Sequence, residues 1–427
     1  MRARRGRRRA AAALAAALAF ALAVTGCSAE RSVTIDAPAQ VQGALPADTV
    51  EQLQAAVDSA MAASGSSGAI VGVWAPWSGQ WVEGLGTQSP GSSEAVSVDA
   101  QFRAARVTRA MICDALYAVA AEGTLALTDD VNDWVSGVPD LTGISLVSLC
   151  DGTSGIGSYA SQLSSLWLGN PTRVWNPREL ASYGLGQPLQ GEPGSAYSDS
   201  DAAYVLVGLA LERATGLTAA ELLRQYVFDP LDLQSTRLPG GAAAPPSTSG
   251  PVLTGHQSFR DGNGVMNCAE PVDYTTMSAS LGFTDSGAVT DIADLGRYAQ
   301  ALATGALLAD GQDRYSGALP AYSGAPSWFT ARGGALQAGS MIGQYGAFPG
   351  YLTAAFSDPA SGLTVAVVLN NSAVDSGVVA GLAWELAAIA SKAPAASGGA
   401  APEAGLPWTA QQFHDAIVAA SICPPAP

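Results

Sequence analysis

Residues 102–111 read Phe-Arg-Ala-Ala-Arg-Val-Thr-Arg-Ala-Met, and they lead into a run that predicts a helix from about Thr108 to Glu122. Arg106 and Arg109 stand three residues apart at the start of this run, about one helical turn. A guanidinium stays protonated in proteins and has no lone pair to donate, so neither arginine can serve as nucleophile or general base. The single lysine of the chain, Lys392, lies in a stretch of Ala, Pro and Ser near the end.

Strand patterns lie on both sides of this helix, and a long helical segment separates them. From Arg109 to about Tyr226 the sequence pattern predicts helices and loops. Terminal strands and helices around a helical insertion indicate an α/β (α+β) fold, in which an antiparallel sheet is flanked by helices and joined to an all-α lobe. The strand patterns occur at 69–74, 80–85, 348–356 and 363–369, and further helical patterns at 202–214, 218–227 and 378–390.

These patterns divide the chain into a main domain, 47–392, and its flanking segments. The α/β part is predicted over about 47–108 and 282–392, and the helical lobe over about 109–281. Residues 27–46 have no clear period and are predicted to be a tether, with order beginning near Ala47. Residues 393–405 are predicted to be a low-complexity linker, and 406–427 a C-terminal amphipathic helix and tail.

The N-terminus has the features of a lipoprotein signal peptide over 1–26. An arginine-rich start precedes an apolar run from Ala10 to Val24, which is shorter than the roughly 20 residues of a membrane-spanning helix. Thr25-Gly26 then precedes Cys27, the residue we predict to be lipidated after cleavage. An uncleaved anchor or a plain signal peptide remains the alternative. Each of these readings places the folded body outside the cytoplasmic membrane.

Charge and motif content exclude several classes of function. The formal net charge is −16, and cleavage of the arginine-rich leader would make the protein more acidic, which argues against nucleic-acid binding. No C-x-x-C spacing occurs, and His256 and His414 are the only histidines, so we expect no metal site. No glycine-rich phosphate loop or cofactor motif is present, and we expect no cofactor.

Four cysteines remain after the lipidated one, an even number that favours two disulfides in an oxidising compartment. Three pairings are possible. Cys113 lies on the helix predicted from about Thr108 to Glu122, and Cys150 lies at the end of the next helical stretch. These positions favour Cys113 with Cys150 and Cys268 with Cys423.

The run Phe-Arg-x-x-Arg-x-x-Arg resembles the Phe-Arg-x-x-Ser-x-x-Lys motif of the class C-like branch of the serine β-lactamase and D,D-carboxypeptidase superfamily. The resemblance covers most of residues 69–392. It implies the β-lactamase/transpeptidase-like fold, with Arg106 in place of the nucleophilic Ser and Arg109 in place of the Lys. No Ser-x-x-Lys exists anywhere in the chain. Further similar stretches are 122–131, 148–156 with Gly152 where a His is usual, Pro193-Gly194, 204–209, 212–216 and 228–236.

Two further elements of the family pattern are also changed. The Tyr-x-Asn element falls on Asp199-Ser200-Asp201 when counted from Pro193, and this is the register we prefer. Tyr197-Ser198-Asp199 is the competing register. The His-x-Gly or Lys-Thr-Gly element corresponds to Gln344-Tyr345-Gly346. The resemblance therefore implies a binding site with no intact catalytic residues.

The family fold places the first two elements face to face, so we expect Arg106 and Arg109 to pair with Asp199 and Asp201. Removing an arginine from water is costly, but bidentate hydrogen bonds from a carboxylate offset that cost. We therefore expect the four side chains to pack together as a cluster of ion pairs. The alternative is a set of solvated charges at a pocket mouth. Thr108 and Ser154 are expected near the pocket, but no base accompanies either hydroxyl. Neither histidine is in a context that favours a catalytic triad.

Three functions remain open at this point. The first is a membrane-tethered binding or regulatory pseudoenzyme of the cell envelope, with peptidoglycan peptides or an envelope protein as its partner by analogy. The second is a serine hydrolase of D,D-carboxypeptidase, β-lactamase or esterase type that uses unorthodox residues. The third is a structural envelope protein with a closed pocket.

Overall fold

The computed structural model describes residues 32–139, 141–396, 399–402 and 405–423, and the chain from Val33 onward forms one compact unit. The predicted signal peptide and Cys27 lie outside the described residues. The strands are β1 (Gly68–Ala75), β2 (Gly79–Gly86), β3 (Phe102–Arg103), β4 (Ala243–Ala244), β5 (His256–Arg260), β6 (Met266–Asp273), β7 (Met277–Ser278), β8 (Val289–Thr290), β9 (Leu319–Pro320), β10 (Phe329–Arg332), β11 (Ala335–Ala338), β12 (Met341–Phe348), β13 (Tyr351–Ser357) and β14 (Thr364–Leu369). The α-helices are α1 (Ala47–Ser64), α2 (Val107–Ala121), α3 (Val131–Trp134), α4 (Leu146–Cys150), α5 (Ala160–Gly169), α6 (Pro177–Leu185), α7 (Asp201–Thr215), α8 (Ala219–Leu223), α9 (Phe283–Ser286), α10 (Ile292–Thr304), α11 (Gly377–Ala390) and α12 (Ala410–Ala419).

A large antiparallel sheet organises the molecule, with the strand order β2-β1-β14-β13-β12-β11-β10-β9. Both faces of its central strands are covered. Val71 and Val367 belong to the core shared with α1 and α11, whereas Ile70 and Val368 face the core shared with α10 and the helical segment. A sheet buried on both faces needs nearly continuous apolar strands, and every residue of β14 is buried. The predicted fold class is confirmed.

Helix α2 connects the sheet to the helical segment. All its residues from Val107 to Val119 are buried, and it packs against β12, α7 and α9. Strand β12 pairs with β13 in a register that sets Gln344 opposite Ala355. The N-terminus of α2 and the middle of β12 therefore lie side by side, and the candidate site forms there.

The prediction of an all-α lobe over 109–281 is wrong, because this segment also contains strands. Strands β5 and β6 form a hairpin, and β4 pairs with β7. The Asp261 carboxylate closes the turn of the hairpin by accepting the amide N–H groups of Asn263 and Val265. No residue of β6 is buried: half are partly buried and half are exposed. The strand therefore lacks the alternation of apolar and polar residues that identifies a half-buried strand in a sequence.

Order begins before Ala47, in contrast to the predicted tether. The amide N–H of Val33 donates to the carbonyl of Pro230 at 3.0 Å, and that of Leu45 donates to Gln80 at 3.1 Å. Part of the predicted linker is also packed onto the domain, because Trp77 Nε1 donates to the carbonyl of Ala393 at 2.9 Å. A segment whose sequence has no hydrophobic period can still be ordered when it packs along a sheet edge or against a buried aromatic ring.

Both predicted disulfides are confirmed. Cys113 is bonded to Cys150, with their Cα atoms 5.9 Å apart, and Cys268 to Cys423, with theirs 6.0 Å apart. The second bond joins the hairpin to the end of the chain, beyond α12, which packs on α11 and α1. Within the described residues, no helix has the length and apolarity to span a bilayer.

Candidate functional site

A tight turn before α2 sets the position of the two arginines. Phe102 pairs with Thr290 in the β3–β8 ladder, and the amide N–H of Ala104 donates to the carbonyl of Ala288 at 2.9 Å. Ala105 then adopts φ +48°, a left-handed conformation that is uncommon outside glycine and that is often found at functional sites. Arg106 follows as the N-cap of α2, and Arg109 lies one turn into the helix.

Arg106 lies across the surface of β12. Its Nη1 donates to Asp199 Oδ2 at 3.1 Å, and 30% of the side chain remains exposed. A Cβ atom at Gly346 would stand only 2.5 Å from Arg106 Cδ. Glycine at this position of the strand therefore leaves the space that the arginine stem occupies.

Arg109 is buried and ion-paired on two sides. Its Nη1 donates to Asp199 Oδ1, and its Nε donates to Asp285 Oδ1 at 2.6 Å. The guanidinium also stacks over the ring of Tyr204, 4.7 Å from its centroid. Burial acts to lower the pKa of Arg109, but the two carboxylates and Tyr204 outweigh burial and raise that pKa well above its ordinary value. Arg109 is therefore a permanent cation and cannot act as a base.

Asp199 joins the two arginines through its two carboxylate oxygens. Burial acts to raise its pKa, but Arg109 and Arg106 outweigh this effect and hold the pKa of Asp199 at about 2. The carboxylate is therefore ionised at neutral pH. Four groups, Arg106, Asp199, Arg109 and Asp285, form one continuous cluster of alternating charge, which we call the ion-pair cluster.

Asp201 is not part of the ion-pair cluster, so its predicted pairing with the arginines is wrong. Ser200 is the N-cap of α7, which places Asp201 in the first helical turn, pointing to the 158–160 turn. Its carboxylate accepts hydrogen bonds from Ser158 Oγ at 2.7 Å and from the amides of Tyr159 at 2.7 Å and Ala160 at 2.9 Å. Burial, followed by the nearby charge of Asp285, raises the pKa of Asp201 to about 6.

The register that faces the site is Tyr197-Ser198-Asp199, and our preferred register, Asp199-Ser200-Asp201, is wrong. Tyr197 and Asp199 line the same cavity. Gly152, at φ +68°, lies under Tyr197, and a Cβ there would stand 2.3 Å from the tyrosine ring. Burial, and then the charge of Asp199, raises the pKa of Tyr197 well above its ordinary value, so its hydroxyl stays protonated.

The third sequence element, Gln344-Tyr345-Gly346, lies on β12 beside the arginines. Gln344 is buried, its Nε2 donates to the carbonyl of Gly334 at 3.0 Å, and its Oε1 accepts from the amide N–H of Tyr345 at 2.9 Å. Tyr345 packs edge-on against Trp384, with their ring centroids 6.2 Å apart. Both the nitrogen and the oxygen of the Gln344 amide are therefore hydrogen-bonded. The side chain supports the cavity wall and contributes no charge to the cavity.

A cavity of about 210 Å³ remains next to the ion-pair cluster. One side of it is polar and the other apolar. No serine, cysteine, lysine or histidine lines this cavity in the described part of the chain. The lining residues are Arg106, Arg109, Tyr197, Asp199, Gln344 and Tyr345 on the polar side, and Ala321, Tyr322, Phe329 and Leu336 on the apolar side.

The other candidate nucleophiles and bases have structural roles. Thr108 Oγ1 donates to the carbonyl of Ala105 at 2.8 Å and accepts the amide of Ala288 at 3.2 Å. Ser154 is buried and bonds to the amide of Ile156 at 3.3 Å. His256 contacts the carbonyl of Gln88.

His414 does not line the cavity either, and it pairs with Glu385, with Nδ1 and Oε1 3.0 Å apart. In the part of the chain that is described, no group of three or more His, Cys, Asp or Glu side chains is arranged to hold a metal ion.

Sequence reasoning missed Asp285, which is the buried partner of Arg109. Asp285 stands in the run Phe-Thr-Asp-Ser over 283–286, where a single charged residue gives no periodic signal. The only available indication was that a buried arginine needs more than one acceptor. The apolar side of the cavity was also missed, because its residues, on β10, β11 and the segment after β9, lie far from the arginines in the sequence.

The family of the chain is defined by comparison with known proteins. The family model for beta-lactamase matches residues 53–388, a span that includes the sheet, α2 and every residue that lines the cavity. The chain therefore belongs to the beta-lactamase family.

Solved structures share the fold. The D-stereospecific amidohydrolase from Streptomyces sp. aligns with a TM-score of 0.65 at 23% identity, over 79% of this chain and 98% of that one. The D-amino acid amidase from Ochrobactrum anthropi SV3 aligns with a TM-score of 0.64 at 20% identity, over 78% of this chain and 96% of that one. At this level of identity the similarity establishes the fold alone.

Curated relatives match over shorter spans. Penicillin-binding protein 4* of Bacillus subtilis (strain 168) is 26% identical over 119 residues, which cover 27% of this chain and 26% of that protein. The D-alanyl-D-alanine-carboxypeptidase/endopeptidase AmpH of Escherichia coli (strain K12) is 27% identical over 161 residues, or 35% of this chain and 40% of that protein. The matches span less than half of the length of each relative.

Proposed function

We propose that this protein is a non-catalytic member of the beta-lactamase family, which acts in the cell envelope as a binding or regulatory protein. The observation that carries the proposal is the ion-pair cluster at the N-terminus of α2. Arg106 takes the position that the sequence resemblance gives to the nucleophile, and Asp199 holds it against Arg109. Among the described residues, no serine, cysteine or lysine lines the cavity, whereas acyl transfer by the family motif uses a serine hydroxyl beside a lysine.

The cavity favours a binding protein over a structural protein with a closed pocket. A volume of about 210 Å³ remains beside the cluster, and Arg106 and Tyr322 are partly exposed at its edge. We propose that peptidoglycan peptides or an envelope protein are the partners, by analogy with the named activity of the Escherichia coli relative.

Several features support a location outside the cytoplasmic membrane, with a lipid anchor at Cys27. Two disulfides join four cysteines, a pattern typical of oxidising compartments. The charged start, the apolar run and the Thr25-Gly26-Cys27 sequence are the features of a lipoprotein signal. The test is metabolic labelling with a fatty acid. Label is expected on the wild type and not on Cys27→Ser, and equal labelling of the two would contradict the anchor.

Labelling with a fluorescent penicillin tests the absence of acyl transfer. The purified protein is expected to form no covalent adduct, while an active penicillin-binding D,D-carboxypeptidase treated in parallel is labelled. Intact-mass measurement after incubation with a β-lactam, and after incubation with a fluorophosphonate, provides the second readout. A stoichiometric adduct with either reagent would instead support a serine hydrolase with unorthodox residues.

A reversal experiment tests whether the replaced residues are the reason for the lost chemistry. The triple variant Arg106→Ser, Arg109→Lys, Asp199→Asn restores a Ser-x-x-Lys and a Tyr-x-Asn in the register that the structure brings to the cavity. We expect this variant to acquire β-lactam labelling. The matched control carries Arg106→Ala with the same two other changes and lacks only the hydroxyl. Labelling of both variants would show that acylation occurs elsewhere.

A further inference from the structure

We propose that the cavity binds a small monocarboxylate that carries an apolar or aromatic group, with the carboxylate held by Arg106 and the apolar group against Phe329 and Leu336. This inference rests on the proposed function and adds the chemical class of the ligand. It follows from the free donors of Arg106, from the charge of the ion-pair cluster and from the apolar residues in the cavity lining.

Arg106 has donors to spare. A guanidinium carries five N–H donors in a planar fork that matches a carboxylate. Within the described residues, Arg106 makes a single ion pair, from Nη1 to Asp199, and its side chain is 30% exposed at the cavity. A ligand carboxylate can therefore bind the unused edge of the guanidinium while the bond to Asp199 stays in place.

The electrostatics of the ion-pair cluster favour one negative charge on the ligand. Arg106 and Arg109 carry two positive charges, and Asp199 and Asp285 balance them. The positive end of the α2 dipole, which lies at Arg106, adds a partial charge that attracts an anion. Arg109 Nη2 is also buried without an acceptor among the described residues, so the cluster has more donors than acceptors. The surplus is one buried nitrogen donor and a partial charge, which a single carboxylate can satisfy.

The apolar part of the cavity lining suits an apolar group. Ala321, Phe329 and Leu336 form it and are buried, while Tyr322 stands at the mouth with 54% of its surface exposed. A volume of about 210 Å³ is below the roughly 300–1,000 Å³ of pockets that take drug-sized ligands. A molecule with one ring or one branched chain beside its carboxylate fits these limits.

Isothermal titration calorimetry with two matched probes tests the inference on the full chain with both disulfides intact. The probes are 3-phenylpropionate and its uncharged amide, 3-phenylpropionamide. We expect the carboxylate to bind at least tenfold more tightly than the amide. Arg106→Gln is expected to remove this preference, whereas the control Arg173→Gln, at a surface ion pair with Glu179, keeps it.

Asp199→Asn provides an independent arm, because the Asp199 carboxylate lowers the positive potential that Arg106 and Arg109 present to the cavity. Its removal is expected to tighten binding of 3-phenylpropionate, and an unchanged or weaker affinity would count against the arginines as the anion site.

The inference is overturned if the wild type binds neither probe at millimolar concentration, or binds both equally. Both comparisons use the wild type and do not depend on how well a variant folds. Labelling by fluorescent penicillin would refute the proposed function by a separate measurement, so the two failures can be distinguished.

Discussion

Removing Asp285 tests whether the ion-pair cluster is a buried structural unit. Only 2% of the Arg109 side chain and 6% of the Asp285 side chain are exposed, and the Nε to Oδ1 distance is 2.6 Å. Breaking a buried pair by deleting one partner costs about 3–5 kcal/mol, because a charge is left buried without compensation. Arg109 retains Asp199, but that carboxylate is 42% exposed and shared with Arg106. We therefore expect Asp285→Ala to lower the free energy of unfolding by about 3 kcal/mol.

Denaturant unfolding with both disulfides oxidised measures this loss. Asp285→Ala combined with Arg109→Met removes both charges and keeps an unbranched side chain at 109, so the double variant is expected to recover at least about half of the lost stability. The matched control is Asp229→Ala, at the exposed pair with Arg224, where the expected change is under about 1 kcal/mol.

Two results would refute this reasoning. One is a loss for Asp285→Ala no larger than that of the Asp229→Ala control. The other is a double variant no more stable than Asp285→Ala alone, which would mean that the cost comes from lost packing rather than from a stranded guanidinium.

Three further predictions concern the carboxylates and the C-terminal disulfide. The pKa of Asp201 is raised from 3.8 to about 6, so the folded state favours the protonated carboxyl group. Thermal melts should therefore show the wild type losing stability relative to Asp201→Asn as the pH rises from about 4 to 6. The pKa of Asp199 is lowered to about 2, so the stability advantage of the wild type over Asp199→Asn should persist above about pH 4 and disappear as the pH falls towards 2. Replacing Cys268 and Cys423 by serine should raise amide exchange in α12 (Ala410–Ala419) but not in α2, and equal exchange in α12 would contradict the stapling role of this bond.

Several elements were predictable because their signals are local. The β1–β2 hairpin, α2 and α11 are apolar runs bounded by turn or polar residues, and the predicted bounds of each helix differ from the observed ones by no more than one residue. The disulfide pairing followed from compartment, parity and the helical positions of Cys113 and Cys150. The β5–β6 hairpin was missed because its exposed faces leave no alternation, and its stability comes from pairing and a turn.

The site could be predicted only in part. The two arginines were identified because they replace the Ser and the Lys of the Phe-Arg-x-x-Ser-x-x-Lys motif. One of their two expected partners, Asp199, is the partner observed. The choice between Asp199 and Asp201 depended on where α7 begins. The N-cap at Ser200 decides this, because it directs Asp201 to the amides of the 158–160 turn instead of to the arginines.

The sequence by itself determined the class of fold, the loss of a Ser-x-x-Lys and the chemical character of residues 106 and 109, since these depend on residue identity and short-range pattern. Only the tertiary structure decided which carboxylates neutralise the arginines. Asp199 and Asp285 lie 90 and 176 residues from Arg109. Partners so distant in the chain are selected by burial, because a guanidinium removed from water is stable only where the fold brings acceptors to it.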